Sequence, residues 1–151
     1  MAGDELEVRP GERIKAVAAL EVLLRIWRQA VDCFPDDDLE TILVYLTVAA
    51  ASTTRHLRDP GLIEELDDGP LPDRLHRPTS GRAVAEATGL ARETVRRRID
   101  ALVASGRLVR DERGVRTIAD TISLNRNLEF TRFLVHELTT ASGRLGRFGR
   151  T

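Results

Sequence analysis

The chain has 151 residues, 42% of them apolar and 31% charged, with a formal net charge of −1, a composition and length that suit one ordinary globular domain able to build a core. Its longest apolar run, Ile42 to Ala51, is too short to span a bilayer, and the single cysteine, Cys33, excludes an internal disulfide and a cysteine-based zinc site. Met1 is followed by the acidic AGDELE rather than a signal peptide, so a reducing cytoplasm is the expected compartment and no membrane partner is expected.

The small net charge hides an asymmetry. Residues 1–78 hold 16 acidic and 9 basic side chains, residues 79–116 hold nine arginines against five acids, and residues 117–151 hold five basic against three acidic groups. A basic segment inside a mildly acidic chain points to a face that binds a polyanion.

In chain order, the first helical pattern runs from about Glu12 to Cys33. Ile14, Val17, Ala18, Val22, Leu24, Ile26, Trp27, Ala30 and Val31 give it a broad apolar stripe. Pro35 and Asp36 to Asp38 separate it from a second helix, Leu39 to about Leu57. Asp37 followed by Glu40 has the spacing of a capping box, and carboxylates suit the positive end of a helix dipole. The acidic trio is therefore expected to be a cap rather than a metal site. Between Ile42 and Ala51 the second helix is apolar nearly all round, which requires burial on several sides. Residues 59–78 carry four prolines and form a connector, with one short helical turn expected around Leu62 to Leu66.

From Thr79 the spacing becomes specific. Thr79 or Ser80 can cap a short helix, Gly81 to Thr88, with Val84 and Ala85 facing inward. Two crossing helices need a small residue at their contact, a glycine four positions later for the turn, and a β-branched apolar residue six positions after that. Ala85, Gly89 and Val95 stand at that spacing. In the second helix, Arg92 to about Ser105, Val95, Ile99 and Leu102 make one buried stripe with Leu90. Glu93, Arg96, Arg97 and Asp100 then point outward, and Arg92 joins Glu93 at the N-terminal tip. Arg98 lies beside the stripe and is expected to hold a phosphate or a salt bridge. Leu108 to Arg110 and Val115 to Ile118 read as strands joined by a turn at Asp111 to Gly114. Arg110, Arg113 and Arg116 would line this hairpin and meet a backbone or a minor groove.

A helix-turn-helix followed by a hairpin is a winged helix, and its recognition helix enters the major groove, where arginine can pair with guanine and glutamate with cytosine. Residues 79–118 resemble the winged helix of bacterial transcription regulators. GLARETVRR is similar to the DNA-binding end of the cyclic-AMP receptor protein family, whereas helices on both sides of one winged helix are closer to MarR-type dimeric regulators. The first resemblance implies base contacts from Arg92, Glu93 and Arg97 and a phosphate contact from Thr94. Ala91 stands where that family usually has a capping Ser or Thr, and Arg98 where an apolar residue is common. The family's cyclic-nucleotide domain has no counterpart here.

The last helix, about Asn125 to Ser142, carries Leu128, Phe130, Phe133, Leu134, Val135 and Leu138. Packing within the chain and packing on a second subunit explain it equally well. The tail, GRLGRFGRT, is expected to fray.

The expected fold class is thus mainly α, a winged helix-turn-helix with extra N- and C-terminal helices. Residues 1–58 are a helical packing or dimerisation segment, 59–78 a linker, 79–118 the DNA-binding domain, and 119–151 the C-terminal helix and tail. The expected activity is sequence-specific binding of double-stranded DNA by a homodimer that regulates transcription. The expected contacts are Arg92, Glu93, Thr94, Arg96, Arg97, Arg113 and Arg116. His56, His76 and His136 share no metal spacing and no nucleophile, and each is expected at a surface or a helix end. There is no phosphate loop or GxSxG elbow, so no catalytic residue, metal or cofactor is assigned and the chain is not expected to be an enzyme. Two alternatives stay open: a winged helix that binds another protein, and a regulator that answers to a small-molecule or protein effector.

Overall fold

In the computed structural model the described residues are 7–54, 58–61, 71–119, 121 and 124–148. They form five helices and one hairpin: α1 (Glu12–Cys33), α2 (Leu39–Thr53), α3 (Gly81–Thr88), α4 (Arg92–Ala104), β1 (Leu108–Asp111), β2 (Gly114–Thr117) and α5 (Asn125–Arg147). A short 3₁₀ turn, Asp73–Leu75, precedes α3. The fold is mainly α with a winged-helix layout, as the spacing requires. No helix of the described residues is long and apolar enough to cross a membrane.

The centre is α2. Ile42, Val44, Tyr45 and Val48 are fully buried and share one core with Val84, Ala85, Val95, Ile99, Leu102, Leu108 and Val115 of the winged helix. From the other side Ala30, Cys33 and Phe34 close over it, and Phe34 meets Tyr45 and Phe130 edge-on at ring-centroid distances of 5.9 Å. Such edge contacts add to what area burial alone contributes. A helix that is apolar on every side therefore sits between two layers, which is where its pattern can be satisfied.

The cap of α2 differs from expectation by one residue. Asp38 is the N-cap, accepting 2.8 Å and 2.7 Å hydrogen bonds from the backbone N–H and hydroxyl of Thr41. Asp37 is instead drawn to Arg107, and Glu40 to Arg98. The acidic segment thus caps the helix and ties it to α4 through Arg98, to the turn before β1 through Arg107 and to α5 through Arg126. No group of three or more His, Cys, Asp or Glu able to hold a metal occurs among the described residues.

α1 and α5 lie antiparallel. Arg25 pairs with Glu137 at 2.9 Å, Phe34 meets Phe130, and Gly11 approaches Phe148. α5 continues to Arg147, five residues past its expected end, and so corrects the expectation that Gly143 onward frays. Arg144 and Phe148 line a groove with Ile14, Val17, Ala18 and Glu21 of α1, and that packing holds the last turns helical despite Gly143 and Gly146. The expected end of α2 at residues 55–57, which includes His56, lies outside the described residues. So do the helical turn expected around Leu62 to Leu66 and the tail beyond Phe148.

His76 stands at a helix end, as expected, closing the Asp73–Leu75 turn with its backbone N–H on the Asp73 carbonyl. It is buried rather than at the surface, with Nδ1 2.8 Å from the Thr117 hydroxyl and Nε2 3.2 Å from the Leu71 carbonyl. It ties the segment before α3 to β2. His136 is exposed on α5.

Candidate nucleic-acid interface

Local chemistry explains how the winged helix forms. Ser80 caps α3, its hydroxyl accepting a 3.1 Å hydrogen bond from Ala83 N–H. Gly89 ends α3 in the left-handed region at φ 72°, with its N–H on the Ala85 carbonyl at 2.9 Å. That conformation strains any residue with a Cβ, so glycine permits the sharp turn into α4. Ala85, Val95, Ile99 and Leu102 are buried, which anchors both helices and leaves the opposite arc of α4 in solvent.

The hairpin pairs Leu108 with Thr117 and Asp111 with Gly114, leaving Glu112 and Arg113 at its tip. Its base carries a bridge not legible in the sequence: Thr79 and Val115 exchange both backbone hydrogen bonds, at 2.8 Å and 2.9 Å. A Cβ on Gly114 would run into the Thr79 carbonyl. Glycine is therefore required there, because the segment entering α3 crosses directly over the wing.

The arginines of this module divide into two groups. Arg92 and Arg97 on α4 and Arg113 at the wing tip are exposed, and their guanidinium groups have no ion-pair partner among the described residues. The remainder are engaged. Arg96 sits between Glu93 at 2.6 Å and Asp100 at 2.8 Å, and Asp100 also binds Arg110 of β1. The hydrogen bond from Arg96 holds the Glu93 carboxyl below its ordinary range, with the Arg96 and Arg97 charges adding to the effect. Arg98 reaches Asp38 at 2.6 Å and Glu40 at 2.8 Å, so of the two roles open to it the salt bridge is the one the fold uses.

Arg116 is turned inward. Its side chain is 16% exposed and grips Asp73 through both carboxylate oxygens, at 2.7 Å and 3.0 Å. This leaves it apart from Arg113 on the wing. Thr94 is half-buried beside the start of the α4 stripe. Arg92, Arg96 and Arg110 surround a cleft of about 190 Å³ between α4 and the hairpin. Arg82 of α3, not singled out in the sequence, joins them there while pairing with Glu86 at 2.8 Å. Its spacing of four to Glu86 was the one visible signal.

A larger cavity of about 580 Å³ lies where the end of α4 meets the α1–α2 corner and the start of α5. Asp37, Tyr45, Arg107, Arg126 and Asn127 supply its polar lining. Arg107 binds Asp37 at 2.6 Å and lies 4.4 Å from the Tyr45 ring centroid, while its other terminal nitrogen is buried without a hydrogen-bond partner. The ring face compensates part of that donor's desolvation. Burial pushes the Tyr45 hydroxyl above its ordinary 10.0.

Comparison with family models, curated proteins and solved structures returns no match for this chain. Its function is therefore argued from the geometry above.

Proposed function

We propose that this protein is a sequence-specific double-stranded DNA-binding regulator of transcription that works as a homodimer. The observation that carries the proposal is the division of the arginines. In a module where most guanidinium groups are neutralised by nearby carboxylates, Arg92, Arg97 and Arg113 stand exposed, without an ion-pair partner among the described residues, at the recognition-helix tip, on its outer arc and on the wing. Those are the places where a winged helix meets base edges and phosphates. Arg92 and Arg97 are assigned to bases, Thr94 and Arg113 to phosphates. Glu93 faces a cytosine after exchanging part of its bond to Arg96. Arg116 supports the wing from inside rather than touching DNA, and no catalysis is assigned to the chain.

Selection of bound sequences from a random duplex pool tests this. A single enriched motif, bound far more tightly than unrelated duplex, is the expected result. Binding that is uniform over sequences, or absent, would remove the reading.

A second reading, a regulator that senses a small molecule, has its own observation. The 580 Å³ cavity borders the winged helix, the N-terminal layer and α5 at once, so an occupant would alter how they sit together. Soaking with a library of small organic acids, followed by measurement of operator affinity, separates a sensor from a constitutive binder.

A further inference from the structure

α1 carries two apolar stripes, one buried by the fold and one left mostly open to water. The buried stripe includes Val22, Ala30 and Cys33. On the far side Val17, Leu20, Leu24, Trp27 and Val31 recur at alternating intervals of three and four, which is the heptad spacing of a coiled-coil seam. Trp27 is half-buried against the core and Val17 edges the groove with α5, but Val17, Leu20, Leu24 and Val31 are 41% to 66% exposed. Leucines that open to water, on one continuous line, are what a partner helix covers. α5 also exposes Val135 and Leu138, but Thr131 and Ser142 interrupt that line with hydroxyls.

We infer that this seam is closed by α1 of a second copy, running antiparallel. The inference deepens the homodimer reading above and rests on it. Three features select this occupant and this direction. First, an antiparallel two-fold axis at Leu24 sets Val17 against the partner copy's position 31 and Leu24 against 24, with Leu20 and Trp27 one residue out of level beside them. Second, Glu21 and Arg28 sit seven residues apart on the same flank, and about that axis each lies within one residue of level with the other across the seam, in reach of two long side chains. Glu21 has no ion pair among the described residues, and Arg28 holds only the exposed Asp32 at 3.1 Å. A parallel arrangement would set neither against an opposite charge. Third, the 22 residues of α1 span ~33 Å, and the winged helix is attached at the C-terminal end of α1, through the core at Ala30 and Cys33. Antiparallel helices therefore hold the two winged helices at opposite ends of the seam, with position 33 of the two copies ~27 Å apart along it.

The test is disulfide trapping of the full chain without DNA, in a Cys33→Ala background, with sedimentation in parallel. Val17→Cys together with Val31→Cys should give a covalent dimer on oxidation, while Val17→Cys alone should not. The two positions within one chain are ~21 Å apart along the helix and cannot bridge each other. Leu20→Asp with Leu24→Asp changes only exposed side chains, so it should leave the circular dichroism intact and convert the dimer to monomer. Trapping by Val17→Cys alone would establish a parallel seam and overturn the inference. A protein that sediments as a dimer yet is trapped by neither variant would overturn the seam while leaving the dimer. A monomer at micromolar concentration would overturn both.

Discussion

Arg96 and Arg97 are neighbours of the same type with different circumstances. The first is held by two carboxylates on its own helix, the second by none among the described residues. Replacing Arg97 or Arg92 with alanine should cost ~1–3 kcal/mol of specific binding and relax base preference at one position. Arg96→Ala should cost less, because the wild-type side chain must leave Glu93 and Asp100 before it can serve DNA. Titration against the selected site at fixed salt measures all three. If Arg92→Ala and Arg97→Ala bind like wild type, α4 is not the recognition helix. The same reasoning separates the two wing arginines. Arg113→Ala should weaken binding to all sequences alike and lower the salt slope by about one. Arg116→Ala should leave the slope unchanged and lower the melting temperature, since its partner is Asp73. A salt slope altered by Arg116→Ala instead would put Arg116 on the DNA. Angular position on a helix was readable in the sequence, and with it the outward arc of α4. The Arg116–Asp73 and Arg107–Asp37 pairs join residues 43 and 70 positions apart, and no local pattern announces such pairs.

At the scale of elements, legibility followed periodicity and punctuation. The bounds of α1 and α3 match the pattern because Cys33 precedes a Pro-Asp break and Gly89 supplies a left-handed stop. Where tertiary contact decides, the pattern fell short: α5 is lengthened by its groove on α1, and the wing is held by Thr79 from outside the hairpin. The cap of α2 shifted because three consecutive aspartates are locally equivalent, and distant partners distinguish them: Arg126 for Asp36, Arg107 for Asp37 and Arg98 for Asp38. That cap has a measurable signature. Asp38→Ala should lower stability by ~1 kcal/mol at neutral pH. In the folded chain the Asp38 carboxyl is held below its ordinary 3.8, first by the Thr41 hydroxyl, then by the Thr41 backbone N–H, with Arg98 contributing. A depressed folded value means the stabilisation is complete above the unfolded value and is lost as pH falls through the folded one. Wild type and Asp38→Ala should therefore converge in unfolding free energy as the pH drops below 3.8. A gap that persists undiminished into strong acid would assign the cost to packing instead of the ionised cap.

For the whole molecule, the quantity that decides the proposed function is how many base pairs one copy could read. A single recognition helix and wing contact too few to identify a genomic site, since each mismatch costs only ~1–3 kcal/mol. Two copies about a two-fold axis double the contacts and impose their symmetry on the operator. The core shared by α2, α3, α4 and the hairpin joins the winged helix to the end of α1, so in the proposed dimer the spacing between the two would be set by protein geometry rather than by a flexible linker. The operator selected from random duplex should be an inverted repeat with half-site centres ~10–11 base pairs apart. Inserting ~5 base pairs between the halves turns one of them to the opposite side of the duplex. Affinity should then fall to that of an isolated half-site, and Leu20→Asp with Leu24→Asp should bind the intact operator no better than that. Binding that tolerates the half-turn insertion would mean that the two winged helices are not rigidly coupled. A selected site without two-fold symmetry would mean that one copy reads DNA alone.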